Sequence, residues 1–296
     1  MTDTRRRFRR GATAAAAILA PGLGAILFAC LLPVWAGSGL LRPPRRAPPP
    51  APDLPHEDLL LDANGIQLSG WRFPAAGARR GLVVYLHGFG DDRREAVGLA
   101  RRYGPLGFDV LAYDSRAHGR SGGTVCTYGV LEKEDLARAL DRELEGPVAL
   151  IGGSLGAAVA LEAAADDARI SLVVAIAPFS DLRCLAADRA PCFVTRGELE
   201  DALRFAEREG GFRVDDASPL AAAPRIRCPV LLLHGASDTL TPPGHSERIF
   251  ERLSGPRRLV LEPGHDHHDP LDASTWDAID EAVLAMPVRS GADPPH

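Results

Sequence analysis

The chain has 296 residues, 46% of them hydrophobic and 25% charged, with 30 Gly and 25 Pro. Apolar content near one half excludes a disordered or collagen-like chain, and the length suffices for one large core or two small ones. The net charge is −5, but eight Arg against one Asp put +7 in residues 1–46 and so leave −12 on the rest, which argues against a nucleic acid or an anionic lipid as partner of that acidic body.

Thr4 to Arg10 holds five Arg and is followed by an uncharged run over 11–41. The run exceeds the roughly 20 residues needed to cross a bilayer core. Backbone polar groups in lipid must pair internally, so a helix is expected, kinked or trimmed by Pro21 and Pro33. Arg42, Arg45 and Arg46 follow it. With five Arg before and three after, the positive-inside rule favours a cytoplasmic amino terminus and an external body. A retained signal anchor is favoured, since the run outlasts the short apolar core of cleaved signals. A cleaved signal competes, with a small-residue site at Val34-Trp35-Ala36 and a twin-arginine-like Thr4 to Phe8. A lipoprotein signal at Leu27 to Cys30 is disfavoured by the apolar residues after Cys30. All three readings place the body outside the cytoplasm.

Residues 43–55 contain seven Pro. Such a segment is expected as an extended, semi-rigid spacer, residues 42–56, ahead of a globular domain from about Glu57. The body has four Cys: Cys126, Cys184, Cys192 and Cys228. An even count outside the cytoplasm permits disulfides, with Cys184 and Cys192 the favoured local pair and four ordinary thiols the alternative. No CxxC or Cys/His metal spacing occurs.

Leu59–Leu61 and Ile66–Trp71 flank Asn64-Gly65, a favoured turn for an antiparallel hairpin. Short apolar runs then recur at Leu82–Leu86, Val110–Tyr113, Val148–Ile151, Leu172–Ile176, Val230–Leu233 and Leu259–Leu261. They lack strict alternation, as strands buried on both faces of a parallel sheet do. Helical stretches fall between them at Arg93–Tyr103, Leu131–Leu144, Leu155–Ala165, Ser246–Leu253 and Ala273–Ala285. The alternation predicts a mostly parallel eight-stranded α/β sheet with helices on both faces. Asp181–Ala217 is too long for a plain connection and is expected as a small cap with a helix over Glu198–Glu209.

Gly152-Gly153-Ser154-Leu155-Gly156 follows an apolar strand and opens an Ala-rich helix, the strand–turn–helix context that gives Gly-x-Ser-x-Gly its meaning. The turn strains the nucleophile's backbone, so Gly152 and Gly156 supply neighbours without side chains. Ser154 is then raised above the sheet, and the Leu155 N–H at the helix start points at a developing oxyanion. A serine hydroxyl needs a base, and the base needs an acid to orient it. Asp238 follows the strand that ends near His234-Gly235, and Gly264-His265-Asp266-His267-His268 follows the next. His265 is the expected base, with His267 and His268 as alternatives. Asp238 is the expected acid, unless it caps a helix and Asp266 or Asp269 serves instead. The His-Asp-His-His cluster could hold a metal adventitiously, but no metal or organic cofactor is implied. His87-Gly88-Phe89-Gly90 follows the first parallel strand. It is expected to give the second oxyanion donor, the Phe89 N–H, with His87 bonding the loop internally. Asp114 to Gly122 reads as a structural loop held by Asp114 and Arg116.

Taken together, His87–Gly90, Asp114–Gly122, Gly152–Gly156, His234-Gly235-x-x-Asp238 and Gly264-His265 resemble the α/β-hydrolase superfamily over about Leu59 to Ala285. The resemblance extends to its branch of serine aminopeptidase-like and monoacylglycerol-lipase-like hydrolases, often membrane-anchored. It implies a serine hydrolase acting on a small-molecule acyl ester through an acyl-enzyme. Two other readings are an aminopeptidase, with Glu198 or Glu200 as the candidate ammonium site, and a non-catalytic binding scaffold. Residues 181–217 match no cap that defines a subfamily.

Overall fold

The computed structural model describes residues 31–143, 146–269 and 271–287. The Arg-rich start, Cys30 and most of the apolar run lie outside these residues, and so does the expected anchor or signal. A helix, α1, covers 31–41, and among the described residues no helix is long and apolar enough to cross a membrane.

Eight strands form one sheet in the order β1-β2-β4-β3-β5-β6-β7-β8. They are β1 (Glu57–Ala63), β2 (Ile66–Phe73), β3 (Gly81–Leu86), β4 (Phe108–Tyr113), β5 (Val148–Gly153), β6 (Ile170–Ile176), β7 (Val230–Gly235) and β8 (Arg257–Glu262). β1 and β2 pair antiparallel around Asn64-Gly65, β2 joins β4 antiparallel, and every later pair is parallel. The helices are α2 (Ala96–Tyr103), α3 (Glu132–Leu140), α4 (Leu155–Ala164), α5 (Leu182–Arg189), α6 (Arg196–Gly210), α7 (Pro219–Ala222), α8 (Gly244–Arg252) and α9 (Ala273–Leu284). The expected architecture is therefore present.

Side chains alternate across a strand, so the sheet feeds two cores. Leu82, Val84 and Leu86 of β3 join the core that holds α3 and α4, whereas Val83 joins the one under α2 and α9. The expected cap helix is α6, which starts at a capping box between Thr195 and Glu198, a pairing that satisfies orphan N–H groups of the first turn.

Two expectations change. Cys126, Cys184, Cys192 and Cys228 are all free thiols, with Cys184 and Cys192 both exposed, so the favoured disulfide is not formed. The Pro-rich segment is extended but lies against the body. Pro43 and Pro49 are buried, and His56 packs on Trp71 and Phe73.

One buried charge carries a stability prediction. Glu162, on the fully buried α4, presses its carboxyl against Gly129, and neither oxygen makes a hydrogen bond of normal geometry. Burial, helped by nearby Glu132 and opposed by Lys133, pushes its pKa well above the glutamate range. The folded protein thus holds a proton that the unfolded chain releases. Stability is full below the ordinary glutamate pKa and falls as pH rises toward the raised value, by about 1.4 kcal/mol per pH unit for one proton. Glu162→Gln is expected to flatten this decline, read as Tm followed upward in pH from the ordinary glutamate range. An unchanged slope would remove Glu162 from that role.

Candidate active site

The turn from β5 into α4 holds Ser154 at φ 50° and ψ −109°, outside the regions open to most L-residues. Such strain persists only where surroundings over-determine it. Here the Ser154 N–H donates to the Ile176 carbonyl at 2.8 Å. Side chains are also excluded: a Cβ at Gly152 would lie 2.3 Å from the Gly156 carbonyl oxygen, and one at Gly156 would lie 2.0 Å from that of Leu86. Leu155 begins α4, where the first N–H groups have no intrahelical acceptor.

Asp238 sits four residues beyond His234, on the loop after β7, and is 4% exposed. Its Oδ1 accepts the Leu240 and Thr241 N–H groups at 2.9 and 2.8 Å, which fixes the carboxylate plane. His234, whose Nε2 lies 2.7 Å from the Thr241 carbonyl, backs the other oxygen at 3.3 Å. Burial works toward protonation, but hydrogen bonds from His234, His267 and the Thr241 N–H win and hold the carboxyl well below its usual range.

The imidazole between acid and serine is that of His267, not the expected His265. His267 Nδ1 is 2.6 Å from Asp238 Oδ2, and its Nε2 is 3.2 Å from Ser154 Oγ. The reason lies in the main chain after β8. The His265 carbonyl accepts the Ser237 N–H at 2.9 Å, and its backbone lies so close to Gly235 that a Cβ there would sit 2.5 Å from the His265 oxygen. Residue 265 thus docks by its backbone, and its half-buried ring is 2.7 Å from the Asp269 carbonyl. Two residues later the chain presents His267 to the serine. Asp266 instead accepts the His268 and Asp269 N–H groups, so it only shapes the loop.

Gly88 and Phe89 lie beside the serine, where a Cβ on Gly88 would be 3.8 Å from Ser154 Cβ. His87 is fully buried, and desolvation lowers its pKa to about 4. Its Nε2 accepts the Ser115 N–H at 2.9 Å, so Nδ1 carries the proton and donates to the Gly88 carbonyl at 2.8 Å. In a trans peptide the C=O and N–H point in opposite directions. Holding the Gly88 carbonyl therefore also aims the Phe89 N–H. The neighbouring loop is held as expected, with Asp114 paired to Arg93 at 2.6 Å and Arg116 bidentate to Asp135 at 2.7 and 2.6 Å.

A cavity of about 690 Å³ opens above Ser154, lined by Phe89, Ile176, Leu240, His267, Arg46 and Arg189 among others. It is of a size that holds a small ligand. Hollows of similar volume near Ala164–Leu172 and Leu140–Val148 lie toward the other end of the sheet and hold neither Ser154 nor His267. Glu198 and Glu200 do not line the cavity above Ser154: Glu198 caps α6, and Glu200 pairs with Arg183 at 2.7 Å. No group of three or more His, Cys, Asp or Glu among the described residues could hold a metal ion.

Residues 83–282 match the model of the alpha/beta hydrolase family. The chain belongs to that family. The hydrolase is 30% identical over 239 residues to Rv2307c of Mycobacterium tuberculosis, covering 75% of this chain and 79% of that one. It is 30% identical over 200 residues to YqkD of Bacillus subtilis, covering 62% of this chain but only 64% of the relative. The mitochondrial palmitoyl-protein thioesterase ABHD10 of Mus musculus is 27% identical over 204 residues, or 62% and 68% of the two chains. Among solved structures, the Pyrococcus furiosus esterase Pf2001 superimposes with a TM-score of 0.67 at 24% identity, over 83% of this hydrolase and 99% of that chain.

The role of the carboxylate in this hydrolase can be tested without emptying the site. Asp238→Asn preserves shape but leaves the His267 Nδ1 proton without its charged partner and permits the wrong tautomer. A fall in kcat of about 10⁴-fold is expected by analogy with other triads, read as ester turnover per folded molecule. Activity near the parent's would show that Asp238 is dispensable.

Proposed function

We propose that the protein is a serine hydrolase that cleaves carboxylic esters through an acyl-enzyme. The observation that carries this reading is the continuous chain Ser154 Oγ–His267 Nε2, His267 Nδ1–Asp238 Oδ2, at 3.2 and 2.6 Å. With Nδ1–H donating to the carboxylate, the Nε2 lone pair faces the serine hydroxyl. His267 takes that proton as Oγ attacks the ester carbonyl. The Phe89 and Leu155 N–H groups receive the oxyanion, each such donor being worth about 3 kcal/mol in comparable sites. His267 then gives its proton to the leaving alcohol, and water repeats the cycle to release the acid.

The esterase structure and the thioesterase relative support acyl transfer, and the motif set supports the serine aminopeptidase-like and monoacylglycerol-lipase-like branch. Labelling of the parent by a fluorophosphonate, together with turnover of a short p-nitrophenyl ester, tests the reading. Failure of both would overturn it in favour of a binding scaffold. A panel of acyl esters against aminoacyl amides separates esterase from peptidase.

Placement belongs to the same proposal. Docking of 37–41 on the body leaves residues 11–36, still longer than the roughly 20 that a crossing needs. That length and the flanking Arg support a signal anchor with the catalytic body outside the cytoplasm. Protease accessibility of the body in intact cells, compared with lysed ones, decides it.

A further inference from the structure

The segment linking α1 to the body touches several of the supports of the Phe89 loop. The Phe89 ring stacks on Tyr128, with centroids 5.7 Å apart and planes 14° from parallel, and meets the His118 ring edge-on at 5.7 Å. Its backbone neighbours are Gly88, Gly90 and Asp91, and the Asp91 N–H closes the turn onto the Gly88 carbonyl at 3.1 Å. Residues 40–46 reach Tyr128, the His118 loop, Gly90 and Asp91. The Tyr128 hydroxyl donates to the Leu40 carbonyl at 2.9 Å, and the Cys126 N–H donates to that of Leu41 at 2.8 Å. Pro44 packs on Gly90 so closely that a Cβ at 90 would lie 3.1 Å from its ring.

Arg45 has the largest set of contacts. Its guanidinium donates to the carbonyls of His118, Gly119, Ser121 and Gly123 at 3.2, 2.9, 2.7 and 2.9 Å, closing the loop whose His118 ring abuts Phe89. Buried or half-buried carbonyls need donors, and a planar five-donor fork can serve several at once. Arg46 pairs with Asp91 at 2.5 Å and lines the cavity above Ser154. Further back, α1 is seated on α6, with Gly37 against Ala202 and Phe205.

We propose that residues 40–46 are a positioning element of the oxyanion hole. The strap holds the Phe89 loop through Tyr128, Gly90 and Asp91, and Arg45 is its latch. This rests on the assignment of Phe89 as an oxyanion donor. Backbone donors stabilise a transition state only if their direction is fixed before the reaction. A loosened loop therefore costs kcat, while substrate binding, which uses the rest of the cavity, is largely kept. The amino-terminal segment in this reading completes the catalytic site as well as tethering it.

The test uses the full chain carrying Arg45→Ala, Arg45→Lys or Arg46→Gln. Turnover is counted per serine labelled by a fluorophosphonate, and hydrogen exchange is followed over residues 88–91. Arg45→Ala is expected to lower kcat about ten-fold or more, a fraction of the loss on deleting a whole donor, with KM nearly unchanged and faster exchange at 88–91. Lys is expected to rescue in part. A folded Arg45→Ala protein with parental kcat per labelled serine, or parental exchange at 88–91, would overturn the proposal even if its Tm fell. If that variant does not fold, Arg46→Gln, which alters an exposed pair, decides on the same two readouts. If the parent turns over no ester, the esterase reading falls, and the exchange comparison alone still decides for or against the strap.

Discussion

His267→Ala is expected to lower kcat on a p-nitrophenyl ester by about 10⁶-fold, the loss seen when the base of a serine triad is removed, while His265→Ala stays close to the parent. The contrast follows from atoms already placed. His267 alone bridges Ser154 Oγ and Asp238 Oδ2, whereas the His265 ring is 2.7 Å from a carbonyl of its own loop. Removing the His265 side chain leaves its backbone bond from Ser237 intact, so the loop keeps its docking onto the Asp238 segment. The pair of variants controls for loop damage, since both substitutions fall in the same loop at half-buried positions. Loss of turnover in the 265 variant with retention in the 267 variant would reverse the assignment.

The sheet was readable because burial of strands on both faces forces apolar runs of a recognisable length, and crossovers must be helical. Ser154 was readable for a related reason: the elbow imposes small residues at fixed offsets, and Gly152 and Gly156 sit where a Cβ would strike main chain. The base was not readable from composition. Three imidazoles within four residues satisfy the same chain order, and the choice among them depends on how the loop after β8 docks. A carbonyl bond at 265 sets that docking, and any residue type could make it. The strap was hidden by the same logic. Seven Pro between 43 and 55 correctly require extended chain, but extended chain can lie free or lie down. Two arginines, which read as membrane-flanking charge, decide this by finding four carbonyls and Asp91.

Ser154→Ala is expected to abolish hydrolysis and fluorophosphonate labelling, by about 10⁶-fold in kcat where comparable nucleophiles have been removed, and to leave the fold intact. Its stability carries a second, sharper expectation. The φ of 50° is imposed by the elbow and not by the hydroxyl, since the Ser154 N–H bond to the Ile176 carbonyl and the close glycines remain after the exchange. Alanine therefore inherits the strain, which for such backbone is about 1–3 kcal/mol. Glycine accepts positive φ without that penalty, at a cost of up to about 1 kcal/mol of chain entropy. Ser154→Gly should accordingly be as inactive as the alanine variant and melt at or above it. An inactive alanine variant that melts well above the glycine one would show that the nucleophile's backbone carries no strain, whereas retained turnover in either variant would remove Ser154 from the chemistry.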